Sequence, residues 1–311
     1  MIFDLLNVSL FKSAVRLATP TFYAALGETV SEKAGIMNMG LESLLLSGAF
    51  FGFAGAFYSG SLWIGFLCGA TGGVLFSMLH AFISVYLLKD QMVAGVALNL
   101  LAAGLTSFLY QLMVNKEGSF MMCPTLKPVA IPLLSKIPII GEIFFNQDIM
   151  VYIVYVLVIL IWIFLNKTTW GLAVTSIGEH PLAADTIGIK VNRIKYLCAL
   201  FNGVLGGIGG AFISLGQTGV FRENISAGRG FIAFAIVLLG RRNPLAVFLA
   251  TILFNLSDAL QFRMQIAGID FPVQVFTALP YILTLASLVL VARHNVNPEM
   301  LGKPYKRGQS T

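Results

Sequence analysis

Uninterrupted apolar runs of about 18 residues or more recur along this chain, each long enough to cross a bilayer as a helix. They are continuous, without the period-two alternation of a membrane barrel, so strands are the wrong reading. Composition agrees: 57% of the 311 residues are hydrophobic and only 11% are charged. A soluble domain carries roughly 25% charged residues. The sequence therefore predicts an all-α, polytopic integral membrane protein, with residues 1–311 forming a single transmembrane domain.

Nine membrane segments are expected, at roughly 13–33, 36–58, 61–88, 91–114, 148–166, 196–216, 228–240, 244–260 and 272–292. The first is weak, because Glu28, Glu32 and Lys33 sit at its end. The seventh, within SAGRGFIAFAIVLLG, is short and glycine-flanked, which suggests a half-helix or broken span. Between the fourth and fifth, residues 115–147 form an extracytoplasmic loop. Its prolines, Pro124, Pro128, Pro132 and Pro138, argue against a helix through it. The opening MIFDLLNVSLFK carries Asp4 where a signal peptide is basic, and no small-residue cleavage site follows. Insertion is expected to rely on the later spans.

The net charge of +6 is scattered through short loops rather than gathered in one patch, which argues against a nucleic-acid partner. Orientation is its plainer use. With 167–195 and the tail 293–311 in the cytoplasm, twelve of the twenty basic residues lie inside and the N-terminus lies outside. Lys12 and Arg16 oppose this locally. The expected location is the inner cell membrane, as a multi-pass protein. Cys68, Cys123 and Cys198 are widely spaced without a CxxC, so neither a disulfide framework nor a metal site is implied. A faint internal repeat relates 69–95 to 206–228 through a glycine doublet, the tetrapeptide AFIS and a closing AG. In this topology the two copies run in opposite directions, as in inverted-repeat transporters.

Polar residues inside spans are candidates for the substrate pathway. A carboxylate such as Glu42 costs about 2.5 kcal/mol or more there unless paired or hydrated, so it serves either structure and gating or substrate contact. Asn255, Asp258 and Gln261 fall on one helical stripe, facing either the pathway or a neighbouring helix. Asn38, Asn99 and Asn202 could hydrogen-bond a sugar or base, or equally another helix. Phe231 and Phe234, after the AGRG turn, are the aromatic candidates. His80 reads as a packing residue. The glycines Gly203, Gly206, Gly207, Gly209 and Gly210 read as points of close helix approach.

The most unusual polar stretch is KTTWGLAVTSIGEHPLAADTIGIKVNRIK, residues 167–195. Pro181 suits a first helical turn, Leu182-Ala183-Ala184 favours helix, and Gly188 suits a stop. The segment GEHPLAADTIGIKV within it resembles the cytoplasmic coupling segment of ABC-importer permeases for branched-chain amino acids, simple sugars and nucleosides. GETVSEKAGIMNMGLESLLLSGAF, with Gly35, Asn38, Gly40 and Glu42, matches that family's opening stretch. AGRGFIAFAIVLLGRRNP and the region around NLSDALQFRMQ match two further blocks, so the resemblance covers nearly the whole chain. It is closest to the nucleoside and simple-sugar branch. Asn202, Asn255 and Ser257 stand where that family more often has small apolar residues or glycine, which leaves the substrate open.

The resemblance implies an importer in which Gly178, Glu179, His180, Pro181, Ala183, Ala184, Asp185 and Gly188 couple to an ATPase. The implied partners are that ATPase on a separate chain, a second permease subunit, the same or different, and an extracytoplasmic substrate-binding protein. This chain has no G-x-x-x-x-G-K-[ST], so no catalytic residues or cofactor are expected on it, and ATP and Mg belong to the partner. Two other classes compete. An ion-coupled secondary transporter would share inverted repeats but has no use for a coupling segment. An intramembrane enzyme needs a paired acid and base or a metal cluster, which three isolated histidines do not supply.

Overall fold

The computed structural model describes residues 7–118, 121–132, 134–266 and 298–306, together with positions 278 and 282. Asn7 caps the first helix, α1 (Val8–Lys33), its side-chain oxygen accepting the Leu10 N–H at 3.3 Å. Then follow α2 (Leu41–Ser59), α3 (Leu62–Ala81) with a π-helical extension over Phe82–Tyr86, and α4 (Gln91–Glu117). Beyond the loop come α6 (Ile149–Lys167), α7 (Thr169–Glu179) and α8 (Pro181–Thr186). The last are α9 (Val191–Phe212), extended as a π-helix over Ile213–Thr218, then α10 (Arg229–Leu239) and α11 (Pro244–Ile266). The chain is an all-α, polytopic membrane protein.

Six of the described helices are long and apolar enough to span a bilayer: α2, α3, α4, α6, α9 and α11. Helix α1 has the length, at 26 residues, but Glu28, Glu32 and Lys33 dilute its apolar character. It compensates by burial, since every residue from Ala18 to Glu32 lies inside the protein. Its carboxylates thus face other helices, which is how a membrane span tolerates them. Helix α10 has 11 residues, about 16 Å of rise, roughly half the hydrocarbon thickness. It starts after Gly228, whose φ of +82° suits glycine, and ends at Gly240. The expected segment 272–292 lies outside the described residues except for positions 278 and 282. Among the described residues of the 115–147 loop, the proline-bearing stretch 124–138 holds only a single 3-10 turn at Leu134–Lys136. A five-residue helix, α5 (Ile140–Phe144), follows its last proline. A short antiparallel ladder pairs β1 (Val129–Ala130) with β2 (Asn146–Gln147).

Helices α2, α3 and α9 meet along a seam of glycines. A methyl group on Gly48 would lie 2.3 Å from the Gly207 carbonyl oxygen, one on Gly73 2.2 Å from that of Gly203, and one on Gly207 2.3 Å from that of Gly69. Only a hydrogen fits, so the backbones touch directly. The pairings Gly69 with Gly207 and Gly73 with Gly203 also show that α3 runs antiparallel to α9.

One end of the bundle gathers the turn after α1, helices α7 and α8, the turn 240–243 and the segment 298–306. That segment is stitched on by main chain: the Met300 N–H donates to Gly178 at 3.0 Å and the Gly302 N–H to Gly35 at 3.2 Å.

Candidate functional site

At this end the chain leaves α6 through Thr168, whose hydroxyl accepts the Gly171 N–H at 3.0 Å and caps α7. Gly171 lets α7 fold back, because a methyl there would sit 2.0 Å from the Phe164 carbonyl oxygen. Gly178 rests on the end of α1, where a methyl would sit 2.2 Å from the Lys33 carbonyl oxygen. The helix breaks at His180, and Pro181 opens α8 at its first position. Gly188, with φ +89°, stops it. The sequence locates α8 and its punctuation but not α7; the Thr168 cap was the available signal.

The two helices form an elbow with an outer and an inner side. His180, Leu182, Ala183 and Gly188 are exposed, and Ile187 is 76% exposed. Ala184 is different: only 2% exposed, it packs into the protein's own main core. Its small size therefore answers to this chain's interior, not to a partner's groove. Glu179 and Asp185 are half-buried. The Glu179 carboxylate accepts the Glu299 N–H at 3.3 Å, and His180 Nδ1 lies 3.5 Å from the Glu299 carboxylate. A hollow of about 230 Å³ separates the elbow from Met300 and Tyr305. That the tail forms one wall of this face was not readable from sequence.

Beneath the elbow lies a buried polar lattice. Glu28 accepts the Asn38 N–H at 2.8 Å on one oxygen and the Asn202 amide at 2.6 Å on the other. Asn38 in turn accepts the Gly40 N–H at 2.9 Å. Glu32 pairs with Arg242 Nε at 2.5 Å, with both side chains buried. Asn99 accepts the Ser43 N–H at 2.9 Å and donates to the Met39 carbonyl at 3.0 Å, tying α4 to the start of α2. Glu42 accepts three bonds, from the Ser226 hydroxyl at 2.6 Å and the N–H groups of Gly228 at 2.8 Å and Gly230 at 2.7 Å. It thereby caps the short helix α10 with a negative charge at its positive end. Gly230 is required for this approach, since a methyl would lie 2.3 Å from the Glu42 nitrogen.

The remaining pathway candidates sit around α10 and α11. Asn255 is buried and its amide donates to the Thr251 carbonyl at 2.9 Å within its own helix. Asp258 and Gln261 are half-buried. Asp258 interacts electrostatically with Arg229, which also donates to Gln217 Oε1 at 3.0 Å. Phe231 is 47% exposed, whereas Phe234 is half-buried against the apolar cluster of α10 and α11. His80 is buried, with Nε2 3.1 Å from the Gln91 carbonyl.

A bundle of apolar spans with one half-length helix among them and a two-helix elbow at one end is the architecture of a polytopic membrane protein. Residues 10–292 match the family described as branched-chain amino acid transport system / permease component, and the chain belongs to that family. It is a multi-pass protein of the plasma membrane. The chain is 38% identical over 297 residues to a nucleoside ABC transporter permease protein, NupC, of Lactococcus lactis, covering 93% of both chains. It is 33% identical over 304 residues to the guanosine ABC transporter permease protein NupQ of Bacillus subtilis, covering 94% of both. A putative glucose ABC transporter permease protein, TsgC13, of Haloferax volcanii is 33% identical over 297 residues, covering 90% of both.

Proposed function

We propose that this chain forms the translocation path of an ATP-binding-cassette importer for a nucleoside or simple sugar. The names of its relatives, which specify nucleosides, guanosine and glucose, support that substrate class. An extracytoplasmic binding protein delivers the substrate, a second permease subunit completes the pore, and a separate ATPase chain binds ATP and Mg. The observation that carries the reading is the elbow of α7 and α8, which presents Leu182, Ala183 and Ile187 outward; the distribution of basic residues is the ground for assigning that end to the cytoplasm. An isoleucine 76% exposed on the elbow is a fitting knob for a groove on the ATPase.

Of the polar residues singled out, Glu42, Asn99 and Asn202 join one helix to another, while the Asn38 side chain closes its own turn on Gly40. Phe231, Asp258, which faces Arg229 at the start of α10, and Gln261, one turn further along α11, are the better lining of the path. The π-helical ends of both α3 and α9, and their antiparallel packing, support an inverted repeat. Nine crossings, with α10 as a half-span, complete the topology.

The coupling role is tested by Ala183→Trp and Ile187→Asp in the assembled complex. An overfilled contact typically loses about 1–3 kcal/mol, or about 5- to 150-fold in ATPase affinity. Co-purified ATPase and uptake of labelled guanosine should fall together while the permease accumulates normally. Unchanged uptake with unchanged assembly in both variants would remove the elbow from the coupling path.

A further inference from the structure

Two cavities on the outer flank of α6, α7 and α9 run into one another. The first is an apolar groove of about 450 Å³ whose walls include Leu157, Phe164 and Val174. The second, of about 390 Å³, lies towards the elbow and carries the exposed cations Lys190 and Arg193 beside Gly188. Trp170, Ile194 and Leu197 line both, so the two share a wall.

We propose that this composite site binds one anionic phospholipid, an acyl chain in the groove and the phosphate on Lys190 and Arg193. Dimensions favour a lipid tail. The groove runs along α6 from Leu157 to Phe164 and along α9 from Ile194 to Phe201, about 10 Å of helix rise in each case, against about 15 Å of hydrocarbon in one leaflet. Its walls are almost wholly apolar, which suits a hydrocarbon chain and gives a partner helix no hydrogen bonds. The change from apolar to cationic occurs beside Trp170, 64% exposed, and an exposed tryptophan marks the headgroup level of a bilayer. Basic pockets between spans at that level are suited to anionic headgroups. Lys190 and Arg193 also line a neighbouring hollow together with Asp185, but Asp185 does not line this one. A lipid held here would brace Gly188 and Ile189, the stop of α8, from the membrane side.

The inference does not depend on the substrate or on coupling through Ile187. Its test is native mass spectrometry of the full permease in mild detergent, titrated with phosphatidylglycerol or with phosphatidylcholine of the same chains. Two cations at a membrane surface imply a preference of about 30-fold for the anionic lipid. Lys190→Gln with Arg193→Gln should erase that preference, and Leu197→Trp should reduce retention of both lipids. Three results would overturn the proposal. One is equal retention of the two lipids by the unmodified protein. Another is displacement of phosphatidylglycerol by millimolar inorganic phosphate, which would make this a simple anion site. The third is an intact lipid preference in Lys190→Gln/Arg193→Gln with loss of co-purified ATPase, which would assign both cations to docking.

Discussion

Gly207→Ala is expected to leave little folded permease in the membrane. A methyl at this position would meet the Gly69 carbonyl oxygen at 2.3 Å, Ala70 Cα at 2.9 Å and the Gly69 carbonyl carbon at 3.0 Å. All three are backbone atoms, so no side chain can swing aside. Overpacking a tight core typically costs about 1–3 kcal/mol and occasionally more, and a contact this short belongs at the upper end. The comparison is Gly104→Ala on α4, where nothing lies within 4 Å of an added methyl. Alanine is the better helix former by about 1 kcal/mol, so that variant should match or exceed the parent. Thermal unfolding of both, followed by size-exclusion recovery, checks the difference. Equal transition temperatures would mean the seam is looser than its geometry.

The second large effect concerns Arg242→Ala. Its guanidinium and the Glu32 carboxylate are both buried, 2% and 0% exposed, and removing one partner of such a pair costs about 3–5 kcal/mol. The loss is aggravated because Glu28 stands one turn before Glu32 on α1, and like charges at that spacing repel. Glu32→Ala together with Arg242→Ala should then be milder than the sum of the single variants, with a coupling of about 0.5–3 kcal/mol. Strict additivity across that double-mutant cycle would show that the two groups stabilise the fold independently.

How much of this was legible in the sequence depends on whether the information is local. Helices α3, α4, α6 and α11 begin within one residue of expectation, because each apolar run is bounded by glycine, proline or charge, whereas α2 begins five residues later than expected, after Gly40. The half-length of α10 was visible for the same reason, between its flanking glycines. Partner identity was not visible. Glu28 binds Asn202 across 174 residues, and Glu42 binds Ser226 across 184, distances over which one sequence carries no pairing signal. The polar residues were thus found, but their work of joining helices was indistinguishable from lining a passage. The docking of 298–306 was invisible for another reason: its bonds to Gly178 and Gly35 run through peptide groups, which every residue possesses. Ala184 shows the limit within a motif, since its neighbour Ala183 faces outward and only the three-dimensional turn of α8 separates them.

The glycine seam has a mechanical consequence. Where carbonyl oxygens press against α-carbons there is no layer of side chains to act as a bearing, so a slide of a fraction of a turn jams at every glycine. The next permitted register lies one full turn away, about 5.4 Å. Helices α2, α3 and α9 therefore resist sliding past one another and form one rigid unit. On the coupling role proposed above, a movement begun at the elbow would pass through α1 and the Glu32–Arg242 pair to the turn that carries α10. Helix α10, flanked by Gly228 and Gly240 and held at its first turn by Glu42, would then be the element placed to respond.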